Sequence, residues 1–266
     1  MDKKRVMALG MVTALCAAAV FSFSGCQILD NLTVDYEAWS RQIAEKTLTS
    51  VVKIKKHESQ LSGYEDSLGS GVIIHKKGNM AYALTNHHVV EKKHTGWSVS
   101  YTVTDGFDGE HTLTGVEYKD ASYDLALLSF SMYTTSSPNE IKNDLAVTSL
   151  AYTNVATHAA IAHVSCPGGR HNATTFGKVL RYEPVTLTGE TAGEGVTFPV
   201  MAHNAFSLGG SSGGLVLNYD MKLVGIEFAC GYTQDDEFVE GYAIPVEKVR
   251  EFLLAAELAT GEDYGV

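Results

Sequence analysis

The feature that most constrains the fold of this chain is a series of short β-type runs, which starts near residue 50 and continues towards the C-terminus. These runs are rich in Val, Ile, Leu, Thr and Tyr, and the residues between them are rich in Gly, Asn, Asp and Ser, which favour turns. No long helical pattern separates the runs, so the strand–helix alternation of an α/β fold is missing. The sequence therefore predicts an all-β barrel or sandwich. The runs cover residues 50–54, 71–74, 81–85, 97–103, 125–130, 159–165, 177–181, 213–217, 223–228 and 241–244.

The composition fits a globular protein and excludes several other classes. With 266 residues, of which 45% are hydrophobic and 19% charged, the chain is neither a disordered tail nor a coiled coil. A chain of this length buries roughly three quarters of its unfolded surface. The formal net charge is −11, whereas a protein that binds nucleic acid needs a basic face. We therefore expect no nucleic-acid partner.

The N-terminal segment is typical of an export signal. Residues 3–5 are basic and residues 6–23 are largely apolar, which predicts a signal peptide over 1–25. Residues 23–26, Phe-Ser-Gly-Cys, resemble the lipobox of bacterial lipoproteins, in which the cysteine is lipidated. Cys26 is thus the predicted lipid anchor, and the protein is expected to be an extracytoplasmic, membrane-anchored lipoprotein of the bacterial cell envelope. An uncleaved signal anchor and ordinary secretion remain open, and both also place the chain outside the cytoplasm.

Two helical patterns flank the β-type runs. Apolar residues spaced by three and four within 26–49 predict a tether that contains a short amphipathic helix. A second amphipathic pattern over 246–258 predicts a closing helix. The polar segment 131–145 is the best candidate for a linker between two halves. A disulfide between Cys166 and Cys230 is chemically allowed outside the cytoplasm, but we expect two separate buried thiols.

Three segments carry residues suited to nucleophilic catalysis. They are Leu-Thr-Asn-His-His-Val-Val at 84–90, Asp-Ala-Ser-Tyr-Asp-Leu-Ala-Leu-Leu at 120–128, and Gly-Gly-Ser-Ser-Gly-Gly at 209–214. A serine hydroxyl becomes nucleophilic when an imidazole removes its proton, and a carboxylate fixes that imidazole's tautomer. The glycines of the third segment allow backbone N–H groups to converge, and we assign Gly210 and Ser212 as donors to an oxyanion. Each segment alone is a weak signal, so the hypothesis depends on their joint order.

The order His, Asp, Ser along the chain selects among the known folds with this chemistry. An α/β-hydrolase needs a histidine after the serine, and the last histidine here is His203. The subtilisin order could formally use Asp66, but the α/β pattern of that fold is missing. The remaining order is that of the chymotrypsin-like enzymes.

These segments, together with residues 50–54, 69–73 and 241–245, make the chain similar to the chymotrypsin-fold serine proteases of the HtrA (Deg) family. The resemblance implies two six-stranded antiparallel β-barrels with short N- and C-terminal helices. The protease domain would then span 50–266, with barrel one at about 50–140 and barrel two at about 146–247.

The resemblance also implies roles for individual residues. The base maps to His88, the carboxylate to Asp124 and the nucleophile to Ser212. The position before the nucleophile departs from the family pattern, because Ser211 stands where Asn or Asp is usual. A PDZ domain is usual after the protease domain, but only about twenty residues follow Pro245, so we expect none.

The specificity pocket is expected beside the nucleophile. No Asp or Glu stands where a trypsin-like enzyme has the acid at the base of its pocket, so we expect cleavage after an apolar or small side chain and not after Arg or Lys. We expect Glu227 to face solvent and not the substrate. The pocket residues would be Phe206, Ser207, Leu208, Gly209, Glu227, Phe228, Ala229 and Gly241.

The sequence therefore predicts a serine endopeptidase that cleaves extracytoplasmic, unfolded polypeptides through an acyl-enzyme. No cofactor is expected, and no metal, because the remaining histidines have no metal-ligand spacing. The alternative is a catalytically silent protease fold that acts as a binding scaffold; an esterase on the same fold would differ only in its substrate. The oligomeric state stays open.

Overall fold

The computed structural model describes residues 34–185, 193 and 195–266. The predicted export signal and Cys26 lie outside the described residues. The described residues of Ser40–Val266 form one compact unit. The described chain begins with helix α1 (Tyr36–Lys46), whose first turn is capped because Asp35 Oδ1 accepts a hydrogen bond from the backbone N–H of Ala38 at 2.9 Å.

Barrel one contains the first six strands, closed in the order β1-β2-β3-β6-β5-β4 with antiparallel pairing. A one-turn helix, α2 (His87–Val90), follows β3 directly. The barrel is filled by aliphatic side chains and by Phe130, all shielded from water, and this burial is its main source of stability. The strands are β1 (Val51–Gln60), β2 (Gly63–Lys77), β3 (Met80–Thr85), β4 (Ser98–Thr104), β5 (Glu110–Asp120) and β6 (Leu125–Ser131).

Barrel two contains the last six strands, closed in the order β10-β11-β12-β9-β8-β7. Helix α3 (Val246–Thr260) follows the last strand directly and ends at Gly261, whose φ of 75° is a left-handed cap. The strands are β7 (Ala160–Ser165), β8 (Ala173–Glu183), β9 (Val200–His203), β10 (Leu215–Leu217), β11 (Leu223–Tyr232) and β12 (Phe238–Pro245).

The predicted fold class, two six-stranded antiparallel barrels with short helices at either end, is confirmed. The ten β-type runs of the sequence fall on ten of the twelve strands, and the two strands that were not predicted are β5 and β9.

The connection between the barrels, residues 132–159, is longer than the predicted linker. It is tied to both barrels near its middle. The N–H of Thr148 donates to the carbonyl of Ile73 in barrel one, and Leu150 pairs with Leu223 in barrel two. The two barrels are therefore joined by hydrogen bonds as well as by the chain itself.

Candidate active site

His88 lies on α2, at the point where β3 leaves barrel one. Asn86 has extended backbone angles and precedes the helical turn, which is anchored by the buried side chains of Val89 and Val90. The backbone N–H of His88 donates to Asp124 Oδ1 at 3.0 Å. The start of the helix and the ring of His88 are thus oriented by the same residue.

Asp124 occupies the last position of the turn before β6. Its φ of 48° is unusual for a residue other than glycine, and the turn is closed by its N–H donating to the carbonyl of Ala121 at 3.1 Å. The carbonyl of Asp124 accepts from Asn86 Nδ2 at 3.0 Å. These bonds hold a buried carboxylate beside the histidine helix.

The imidazole of His88 and the carboxylate of Asp124 form a pair, with Nδ1 lying 2.8 Å from Oδ2. Because an ionised carboxylate only accepts, Nδ1 carries the proton, and Nε2 of the neutral ring is left with a free lone pair. His87 is not part of this pair: its Nδ1 lies 3.8 Å from Glu91 Oε2. The geometry therefore distinguishes the two adjacent histidines.

Ser212 lies in a turn that is cross-linked to β11. The N–H of Gly213 donates to the carbonyl of Glu227 at 2.8 Å, and the N–H of Glu227 donates to the carbonyl of Gly214 at 2.9 Å. Ser211 is buried, and its hydroxyl accepts from the N–H of Leu208 at 3.3 Å. The residue that departs from the family pattern thus ties the turn internally.

The Ser212 turn lies directly against barrel one, next to α2. The carbonyl of Ser212 accepts from the N–H of Ser70 at 2.7 Å. A Cβ placed on Gly69 would be 2.7 Å from Val89 and 3.3 Å from that same carbonyl. Gly69 therefore lies between the helix that carries His88 and the backbone of Ser212.

Within residues 34–185 and 195–266, no hydrogen bond joins His88 Nε2 to Ser212 Oγ, and both atoms lack a hydrogen-bond partner. Such bonds are often long in enzymes without substrate and shorten when it binds. The free base nitrogen and the free hydroxyl are therefore compatible with catalysis, although they are not joined here.

The two assigned oxyanion donors are also unused in the described part of the chain. The carbonyl of Gly209 accepts from the N–H of Gly168 at 2.7 Å. Because C=O and N–H point in opposite directions across a trans peptide, the N–H of Gly210 is directed away from Gly168. Neither Gly210 N nor Ser212 N donates to a described residue.

The expectation that Glu227 faces solvent is wrong. Its side chain is only 1% exposed, and Oε2 lies 2.7 Å from Nε2 of the fully buried His203. A buried carboxylate needs such a partner, because burial penalises its charge. His163 lies beside this pair; its Nδ1 donates to the carbonyl of Phe206, and burial lowers its pKa.

The other predicted pocket residues differ in exposure. Phe206 and Leu208 are exposed, whereas Ser207 and Phe228 are buried. Gly241 is buried against the Glu227–His203 pair, because a Cβ there would be 2.4 Å from the ring of His203 and 2.8 Å from Glu227 Oε1. Gly209 is exposed and Ala229 half-buried.

Cys166 and Cys230 are both free thiols. Cys166 is buried, as expected, but Cys230 is only half-buried. Burial raises the pKa of both thiols, so neither is activated as a nucleophile. The described residues contain no group of His, Cys, Asp and Glu arranged to hold a metal ion.

Two closed six-stranded antiparallel barrels define the chymotrypsin-like fold. Residues 69–226 match the trypsin-like peptidase domain, and this chain belongs to that family.

Two curated relatives are serine proteases. The chain is 31% identical over 192 residues to the serine protease Do-like HtrA of Bacillus subtilis, a match that covers 70% of this chain and 38% of that protein. It is 26% identical over 236 residues to the serine protease PepD of Mycobacterium tuberculosis, with 83% and 47% covered. The chain thus spans less than half the length of either relative.

Solved structures agree with the fold. The Rv3671c protease of M. tuberculosis in its active form aligns with a TM-score of 0.62 at 22% identity, covering 83% of this chain and 86% of that one. Its inactive form aligns with a TM-score of 0.58, also at 22% identity, covering 83% and 92%. Among the described helices of the present chain, none is both long and apolar enough to span a bilayer.

Proposed function

We propose that this protein is a serine endopeptidase in which Asp124, His88 and Ser212 act as a catalytic triad. The observation that carries the proposal is the His88–Asp124 pair. The 2.8 Å contact between His88 Nδ1 and Asp124 Oδ2 leaves His88 Nε2 free to act as a base. The helix of His88 packs against Gly69, which also lies beside the backbone carbonyl of Ser212.

The chemistry follows from these positions. His88 Nε2 takes the proton of Ser212 Oγ while that oxygen bonds to the substrate's carbonyl carbon, and the carbonyl oxygen becomes an oxyanion. The N–H groups of Gly210 and Ser212 stabilise this charge, each by roughly 3–4 kcal/mol. The imidazolium, stabilised by Asp124, then protonates the leaving amine as the C–N bond breaks, and the acyl group remains on Ser212 Oγ. Water then gives a proton to His88 Nε2 and attacks the acyl carbon, and Ser212 Oγ leaves and takes that proton back.

Turnover of a denatured protein tests the proposal. We expect the wild-type protein to release new amino termini from unfolded casein, and Ser212→Ala to reduce the rate by about 10⁴–10⁶-fold without changing the fold. Equal rates for wild type and Ser212→Ala would contradict it. A folded wild type without activity would favour the rival function, a silent protease fold that serves as a binding scaffold. The missing His88–Ser212 hydrogen bond is the observation in favour of that rival.

We further propose that the protein acts outside the cytoplasm, on unfolded polypeptides, and is anchored through Cys26. This part is supported by the basic and apolar pattern of residues 1–25 and by the Phe-Ser-Gly-Cys sequence. Mass spectrometry of the N-terminal peptide from cell membranes tests it. A diacylated Cys26 is expected, and an unmodified Cys26 preceded by an intact segment 1–25 would contradict anchoring through Cys26.

A further inference from the structure

Ser70 lies on β2 of barrel one and is fully buried, yet every one of its polar atoms is used. Its N–H donates to the carbonyl of Ser212, and its carbonyl accepts from Thr85 Oγ1 at 2.7 Å. Its hydroxyl donates to the carbonyl of Gly210 at 2.8 Å and accepts from the N–H of Cys166, also at 2.8 Å. One residue of barrel one thus contacts two separate loops of barrel two.

The direction of these bonds is fixed by chemistry. The N–H of Cys166 can only donate, so it occupies a lone pair of the Ser70 hydroxyl, and a carbonyl such as that of Gly210 can only accept. The hydroxyl hydrogen therefore points at Gly210. The relay runs in one direction, from Cys166 through Ser70 to Gly210.

Both peptide groups that flank Gly210 are held from outside their own turn. The carbonyl of Gly209 accepts a hydrogen bond from the N–H of Gly168, and the carbonyl of Gly210 accepts one from the hydroxyl of Ser70. Gly210 has a φ of 95°, and because it has no Cβ its backbone can adopt other conformations if these bonds are lost. The direction of the Gly210 N–H therefore depends on bonds made by neighbouring segments.

We propose that Ser70 is a positioning residue that fixes the oxyanion loop: its hydroxyl joins the loop at Cys166–Gly169 to the nucleophile turn and thereby keeps the N–H of Gly210 directed at the substrate. This inference rests on the proposed function. Ser70 touches neither the substrate nor the reacting atoms, and it acts through Gly210.

The size of the effect follows from what is lost. Removing an oxyanion donor costs about 10²–10³-fold in turnover, but Ser70→Ala leaves both donors in the chain and removes only a bond that holds the peptide group next to one of them. We expect kcat to fall by about 10–100-fold while KM changes less than about threefold, because the donor acts mainly in the transition state. Affinity for a peptide boronate, whose adduct carries the tetrahedral oxygen, should fall by the same factor as kcat.

Ser50→Ala is the matched control. Ser50 is also fully buried, and its hydroxyl also makes two hydrogen bonds, with the carbonyl of Thr47 and with Thr148 Oγ1. It makes no hydrogen bond with either loop that Ser70 joins. We expect both variants to lose similar stability in urea, but only Ser70→Ala to lose kcat and boronate affinity.

Amide hydrogen exchange provides a readout that needs no activity. In the full chain, Ser70→Ala should accelerate exchange in peptides that cover 166–170 and 208–214, and Ser50→Ala should not. Unchanged exchange in these peptides, or a kcat within twofold of wild type, would overturn the proposal. If the wild-type protein has no activity at all, the proposed function fails, whereas the exchange result still decides whether Ser70 orders the loop.

Discussion

Asp124 binds His88 twice: Oδ1 accepts from the backbone N–H at 3.0 Å, and Oδ2 lies 2.8 Å from ring Nδ1. One carboxylate therefore fixes both the start of the helix and the tautomer of the imidazole. The first bond is structural and the second sets which ring nitrogen carries the proton, so the two roles can be separated by substitution.

Asp124→Asn should retain the fold but lose turnover. The amide oxygen can still accept from the N–H of His88, whereas its NH₂ group would donate to Nδ1 and place the proton on Nε2, where a base is needed. We expect kcat to fall by about 10⁴-fold with an unchanged circular dichroism spectrum. Asp120→Asn is the control, since this half-buried carboxylate binds only Ser122, in the same turn. Equal loss in both variants would contradict a specific role of Asp124.

Gly213 should tolerate no side chain. Its φ is 85°, and a Cβ there would be 2.0 Å from the carbonyl oxygen of Ser70. We expect Gly213→Ala to lower the free energy of unfolding by at least about 2 kcal/mol, from backbone strain and overpacking. Gly63→Ala, which meets nothing within 4 Å, should change it by less than about 0.5 kcal/mol. Urea unfolding measures both, and similar values would show that the barrels do not meet closely at this turn.

Removing one partner of the Glu227–His203 pair should lower the free energy of unfolding, whereas replacing both partners by leucine should lower it much less. Both side chains are buried, so Glu227→Leu leaves a histidine without its carboxylate, and we expect a loss of about 3–5 kcal/mol in the free energy of unfolding. The double variant with His203→Leu should regain most of that loss, because no uncompensated polar group remains. A single variant as stable as wild type would mean that the carboxylate is not buried beside His203.

Acid should weaken the segment that follows the His88 helix. Burial alone would raise the pKa of Glu58, but the N–H groups of Lys93 and His94 and the ammonium of Lys56 lower it from 4.5 to about 2. Since the folded pKa is lowered, this contribution to stability is present above about pH 4.5 and is lost as the pH falls towards 2.

The matching measurement is the free energy of unfolding from pH 6 to pH 2. Glu58→Gln should be less stable than wild type at pH 6, and the difference should shrink as the pH falls. A constant difference over this range would show that the carboxylate charge is not what stabilises the segment.

The fold was largely predictable because most strands carry runs of apolar residues, but the sequence pattern does not predict β5 and β9. β5 (Glu110–Asp120) consists mainly of polar and exposed residues, so its apolar content is too low for a strand pattern. β9 (Val200–His203) has only four residues, all buried. Their places are fixed by closure of the two barrels, which is a tertiary constraint.

The limits of periodicity are also visible in α3. The apolar positions of the pattern over 246–258 include Leu254 and Leu258, yet these are 50% and 88% exposed, while Phe252 and Ala256 are buried. An exposed leucine on a terminal helix costs little free energy, so the leucines of this helix do not show which of its faces is buried.

The candidate site was likewise predictable only in part from the sequence. Short motifs and their order indicated the three segments, and the resemblance to the HtrA family selected His88, Asp124 and Ser212 within them. The burial of Glu227 and the hydroxyl relay of Ser70 could not be predicted, since both depend on partners far away in sequence: His203 for the first, Cys166 and Gly210 for the second.

The central claim is that Ser212 is an activated nucleophile, and reaction with a fluorophosphonate followed by peptide mass spectrometry tests it most directly. The account predicts a single phosphonyl adduct on Ser212 between pH 6 and 9, which is absent in Ser212→Ala and strongly slowed in Asp124→Asn. A folded wild-type protein that forms no adduct over this range, or forms it at another residue, would contradict the account.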